Sequence, residues 1–256
     1  MTNSTANKEH ILMKKTAMTL TAIFLIFIGW IILYFLVNHP LLCPSPWAVF
    51  QALIGIFSQR ESLIIILMTL FRLLLALLAS TILGVGLGYV ASQKKNLERL
   101  LHPVITILRT IPVISILVIM MILLGLHLTP YLITFLMIFP LVYQATIDSV
   151  HAIDPAYLDI YHLDDDRWIS GFRHCYFPLI RGRLTTAFLQ SAGLGIKVLA
   201  MAEYFTQTPN SIGMALNQAR VNLEYDRVFA WTLCLIFLAV LLEGLVRHHQ
   251  KKIGTD

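Results

Sequence analysis

The chain has 256 residues, 57% hydrophobic and 13% charged, against roughly 45–50% and about 25% in soluble domains. With a mean hydropathy of +0.76, this composition excludes an ordinary soluble domain and a disordered chain. The net charge of +5 lies between apolar runs rather than on one polar face, which excludes a nucleic-acid binder.

The apolar runs reach about 20 residues, the length with which an α-helix crosses ~30 Å of hydrocarbon, so the fold class is all-α and polytopic. A polar stretch carrying Lys14 and Lys15 precedes the first run, 17–37. That run is longer than the apolar core of a signal peptide and lacks a small-residue cleavage site, so it reads as a retained anchor. Further spans are expected at 63–91, 103–125, 130–148, 183–205 and 228–246. Six crossings put both termini on one side. Thirteen Lys and Arg fall on that side and three, Arg60, Arg220 and Arg227, on the other. The excess makes the first side cytoplasmic. Arg72, Arg109 and Lys197, the last of the 19 basic residues, lie inside or at the edges of spans.

In the second span Ala76, Ser80, Gly84 and Gly88 recur every four residues, a small-residue seam for close helix packing. Pro112 and Pro140 are expected to bend the third and fourth spans. The longest cytoplasmic connection, 149–182, mixes Asp154, Asp159 and Asp164-Asp165-Asp166 with Tyr157, Leu158, Tyr161, Leu163, Trp168 and Phe172. Large apolar anchors ringed by carboxylates suit a basic-rimmed groove on a partner. The aspartate run also resembles, loosely, the metal-diphosphate sites of membrane prenyl-transferring enzymes. Those sites need a second acidic cluster, which the sequence lacks. Cys43, Cys175 and Cys234 are far apart and show no CxxC spacing, so neither a disulfide framework nor a zinc site is expected.

Thr186, Gln190, Gly193 and Lys197 fall at offsets of 4, 7 and 11 in the fifth span, on one helical face. A lysine at bilayer depth costs about 2.5–3.5 kcal/mol and needs a water-filled cavity or a partner. It reads either as a pathway lining that attracts an anion or as a pair with an acid such as Glu203. Glu203 lies about 240° round the helix from it, too far for a direct intrahelical pair. The phosphate-cradling Gly-x-x-x-x-Gly-Lys-Ser/Thr pattern is absent, so ATP hydrolysis on this chain is not expected. Intramembrane charges could equally serve a stand-alone secondary carrier or channel.

Pro44-Ser45-Pro46, Thr69-Leu70 with Arg72, Pro103 with Leu108-Arg109 and Ile111-Pro112, Ala202-Glu203 with Ser211-Ile212-Gly213, and Phe229-Ala230-Trp231 stand in an ordered series. Over about 42–247 the chain resembles the membrane subunits of binding-protein-dependent ABC importers, in the branch handling sulfonates, taurine, nitrate, bicarbonate or thiamine precursors. The resemblance implies a single permease domain over 1–256 in the bacterial plasma membrane, with 149–182 as a cytoplasmic coupling loop. It implies a non-enzymatic chain without cofactor, with ATP and magnesium held by partner ATPase subunits. A second permease subunit, as a homodimer, and an extracytoplasmic substrate-binding protein would complete the importer.

The family's coupling signature is Glu-Ala-Ala, three residues and Gly, and later an apolar residue and Pro, matched at its end by Phe177-Pro178. Placing Asp159 at the glutamate puts Asp165 at the glycine; aligning Leu163 with the leucine before glycine puts Asp164 there. The ATPase-coupling set implied is Asp154, Asp159, Leu163, Asp164, Phe172, Phe177 and Pro178. Gln190, Lys197 and Glu203 are the candidates for the translocation path.

Overall fold

The structure, a computed structural model, describes residues 2–39, 42–154, 156 and 171–253. The described residues form helices without strands: α1 Thr2–Val37, α2 Pro46–Ser58, α3 Arg60–Gln93, α4 Lys95–Thr110, α5 Val113–His151, α6 Phe177–Thr206, α7 Ile212–Val221 and α8 Tyr225–Ile253. A π-helical turn, Phe172–Tyr176, leads into α6. This uniformity has a simple cause, since a backbone that meets no water must pair its own N–H and C=O groups. Hydroxyls obey the same rule: Thr134, Thr146 and Thr206 donate to carbonyls four residues back at 2.7–2.8 Å.

Among the described residues, five segments are long and apolar enough to cross a membrane: Ala17–Val37, Arg60–Gln93, Val113–His151, Phe172–Thr206 and Tyr225–Gly244. The expected fourth span, 130–148, lies within α5 beyond its break, but the expected third is not one continuous helix. The third divides between α4 and the start of α5, because Ile111 and Pro112 are extended, with ψ of 133° and 127°. Pro112 caps α5 instead of kinking a span, while helical dihedrals continue through Pro140.

Helix α5 itself breaks at Gly125, with φ 73° and ψ 179°, a backbone region that belongs to glycine. Three sets of contacts show the chain doubling back there. Leu117 shares a core cluster with Ile133 and Met137, Ile105 of α4 one with Tyr143 and Ile147, and Glu98 lies 3.8 Å from His151. A straight helix would hold Leu117 and Ile133 about 24 Å apart. So α4 and the first arm of α5 run antiparallel to the second arm, and Thr129 donates to the freed Gly125 carbonyl at 2.6 Å.

The expected small-residue seam is the contact between α3 and α5. A Cβ on Gly84 would lie 2.9 Å from Val142 Cβ, and one on Gly88 would lie 2.8 Å from Thr146 Cβ. Such separations let backbones approach and give dispersion contacts, the main attraction available in lipid. Helix α6 lies antiparallel to both, with Gly195 against Leu73 and Ile138. Ala230, Trp231, Cys234 and Leu238 of α8 join the same core. Trp30 of α1 stacks on Phe229 at 5.7 Å between ring centroids. Within the connection expected over 149–182, α5 runs to His151 and the described residues from Gly171 onward are helical; at that end Tyr89, Val150, Cys175, Tyr176 and Ile180 form an apolar cluster.

Replacing Gly125 by Ala should cost about 1–3 kcal/mol, read as a lower unfolding midpoint in detergent. Its surroundings are open, so the cost is conformational and not steric. Gly86→Ala, in equally open surroundings within helical α3, should leave the midpoint unchanged or raise it.

Candidate functional site

Thr69 and Arg72 are three residues apart, hence on one face of α3, and that face meets the last turns of α6. Arg72 is 6% exposed and Glu203 of α6 is fully buried. The guanidinium Nη1 donates to Glu203 Oε1 at 3.1 Å and to the Asn210 carbonyl at 3.0 Å, and Nη2 donates to the Pro209 carbonyl at 2.9 Å. Thr69 Oγ1 lies 3.1 and 3.0 Å from the two Glu203 oxygens as their donor. The same hydroxyl accepts from Ile212 N at 3.0 Å, and Gly213 N approaches Glu203 Oε2 at 3.4 Å.

Local sequence chemistry brings the loop to this point. Gln207 takes the left-handed conformation, φ 48°, that ends α6, and its N–H bonds to Glu203 O. Ser211 then caps α7 by accepting from Met214 N at 3.0 Å. Gly213 is obligatory: a Cβ there would overlap Tyr204 N and stand 2.5 Å from Ala200 O. Thus Thr69, Arg72, Ala202-Glu203 and Ser211-Ile212-Gly213, separate marks along the sequence, form one buried polar clamp. It holds a charge pair with no nucleophile–base arrangement, and its product is rigidity: α3, α6 and the entry to α7 are fixed together. The need of an intramembrane arginine for an acid is a signal the sequence offers; the use of the Pro209 and Asn210 carbonyls has no sequence signal.

The three path candidates separate. Gln190 and Lys197 are exposed on one face of α6, with Leu194 between them 37% exposed. Glu203 faces the opposite way, into the clamp, so the acid that Lys197 might have paired with is paired to Arg72. Lys197 lies nine residues, about 14 Å, from the Thr206 end of α6.

The coupling candidates also differ among themselves. Phe172 is half-buried, its ring 4.7 Å from Tyr89 and 5.8 Å from Phe177. Phe177 is 46% exposed and Pro178 is exposed. Asp154 is exposed and its carboxylate accepts from Ala156 N at 3.0 Å. Asp159, Leu163 and Asp164 lie outside the described residues. Among the described residues no three His, Cys, Asp or Glu side chains converge as a metal site.

Long apolar helices, a glycine-packed core and a clamped entry to α7 define a multi-pass membrane protein. Residues 80–255 match the model of the family described as "binding-protein-dependent transport system inner membrane component", and the chain belongs to that family. It is similar, at 24% identity over 238 residues, to the taurine transport system permease protein TauC of Escherichia coli strain K12, with 90% of this chain and 85% of the relative covered. The chain is thus an ABC importer permease, a transporter component and not a catalytic enzyme.

Glu203→Ala should destabilise the protein by about 3–5 kcal/mol, because Arg72 would remain buried without its counter-charge. The double variant Arg72→Met, Glu203→Leu should recover much of that loss, since neither partner is left buried alone. It should at the same time free residues 207–212, seen as faster limited proteolysis at that loop. Unfolding midpoints of the single and double variants give the coupling directly.

Proposed function

We propose that this chain is the membrane-spanning permease of an ATP-driven importer of a small anion of the sulfonate class, working with a second copy of itself. The observation that carries the anion reading is the exposure of Lys197 on a helix of membrane-crossing length. An ammonium there cannot face hydrocarbon cheaply. On one face with Gln190, and with the acid nearest it along α6 paired to Arg72, it gives α6 a polar face suited to a water-filled passage between paired subunits. The printed function of the relative, taurine transport, supports a sulfonate.

The hairpin at Gly125 supports six crossings: α1, α3, α4 with the first arm of α5, the second arm of α5, α6 and α8. Both termini are then cytoplasmic, as the excess of Lys and Arg on that side requires. The cytoplasmic segment around 149–182 seats on the partner ATPase, which holds ATP and magnesium, through Asp154, Asp159, Leu163, Asp164, Phe177 and Pro178. Phe172 acts mainly inside the bundle, anchoring that segment to Tyr89. On the opposite face, the Arg72–Glu203 clamp holds α7 and its flanks as a firm surface for a substrate-binding protein. Closure of the ATPases moves the coupling segment, and α6 carries that movement along the path face.

Lys197→Gln should lower uptake of taurine, used as the probe sulfonate, by about tenfold or more, with the purified complex unchanged in composition. Unchanged uptake in intact complexes would remove Lys197 from the path. Phe177→Ala should strip ATPase from the purified complex while the unfolding midpoint stays near that of the parent chain. Phe172→Ala should instead lower stability by about 2 kcal/mol, part of the 3–5 kcal/mol of a fully buried phenylalanine. Purification that yields no ATPase from the parent chain, under conditions that preserve other transporters, would overturn the proposed seating of 149–182 on an ATPase.

A further inference from the structure

Helix α4 presents three faces. Leu97, Leu101 and Ile105 turn to the bundle, Ile105 being 3% exposed beside Ala91, Tyr143 and Ile147. Leu100, Val104 and Ile107, at offsets of 4 and 7, make a second face and are 70%, 52% and 54% exposed. Lys95, Arg99 and His102, also at offsets of 4 and 7, make a third, and all are exposed, as is Lys94 at the turn between α3 and α4. The acid of this helix, Glu98, points instead toward His151 of α5. Among the described residues, Lys94, Lys95 and Arg99 have no carboxylate within ion-pair distance. A groove of about 550 Å³ opens at this turn, lined by Lys94, Lys95, Asn96, Leu97 and Leu100.

We infer that the turn between α3 and α4 binds an anionic phospholipid, its phosphate held by Lys94, Lys95 and Arg99 and an acyl chain lying along Leu100, Val104 and Ile107. The turn ends the apolar crossing of α3, which sets it at headgroup level. Helix α4 then runs back along the second arm of α5, so the exposed apolar face starts at the groove and descends beside it into the hydrocarbon. Charges without a carboxylate partner among the described residues and an exposed apolar track thus meet at the groove, which Lys94, Lys95 and Leu100 line. A free phosphate would use the first and leave the second without purpose. Each cation near a membrane surface contributes about 1 kcal/mol toward anionic lipid. The inference needs the membrane placement of α3 and α4 and does not depend on what the protein transports.

The test uses the full-length chain, with the subunits that accompany it, in nanodiscs of phosphatidylcholine with or without phosphatidylglycerol. Retained lipid is measured by mass and stability by thermal unfolding. Phosphatidylglycerol should be retained over phosphatidylcholine and should raise the unfolding midpoint, and inorganic phosphate should neither displace it nor reproduce its effect. Lys94→Gln, Lys95→Gln and Arg99→Gln should each reduce the preference about fivefold, without changing the midpoint in phosphatidylcholine alone. Leu100→Ser should weaken retention with all three charges present. If a variant fails to fold, the parent chain still decides: its preference should fall as salt is raised. No preference in the parent chain, equal preference in the charge variants, or full replacement by inorganic phosphate would overturn the lipid site. A loss of ATPase from the charge variants with lipid preference intact would also overturn it and assign the face to a protein partner.

Discussion

A guanidinium and a carboxylate enclosed among apolar helices would each carry a desolvation penalty of several kcal/mol if left alone. Arg72 and Glu203 persist because other groups take the place of water around them: Thr69 Oγ1, Gly213 N and the carbonyls of Pro209 and Asn210. This requirement reaches well beyond the pair. It fixes the register of α3 against α6, the left-handed turn at Gln207, the cap at Ser211 and the bare Cα of Gly213. An error in any of these would leave the buried Glu203 carboxylate or the Arg72 guanidinium short of a partner.

The clamp and the glycine seam divide the work of holding the bundle. Along the middle of α3, Gly84 and Gly88 let α5 come close enough for dispersion to act, which is a gradual and forgiving attraction. At one end of α3, the ion pair imposes an orientation that a smooth apolar interface cannot. At the other end, Tyr89, Phe172 and Tyr176 interlock as rings, with centroids 4.7 and 5.2 Å from Tyr89. The helix that carries Gln190 and Lys197 is thereby secured at both ends, and its polar face stays directed away from the core. A face held so firmly can relay movement from one side of the membrane to the other without bending.

Much of this was legible in the residues. Membrane crossings follow from apolar length, and the first lies within α1, which ends at Val37 as its hydropathy implies. The seam follows from a period of four small residues, and its glycines do meet α5. The third crossing was drawn as one continuous helix because hydropathy does not register backbone direction: Ile111 and Pro112 are as apolar as a helix interior yet are extended, while the break drawn between 125 and 130 falls where Gly125 turns the chain.

The sequence by itself determined the class of structure, because in hydrocarbon the backbone has few solutions and apolar runs of sufficient length select the helical one. It also determined which charges would be costly, namely Arg72, Arg109, Lys197 and Glu203, since that cost depends on residue type and depth. Which of them would be neutralised and which left facing outward was decided only by the tertiary structure. Partners come from helices 131 residues apart, as with Arg72 and Glu203, and no local pattern encodes a contact at that separation.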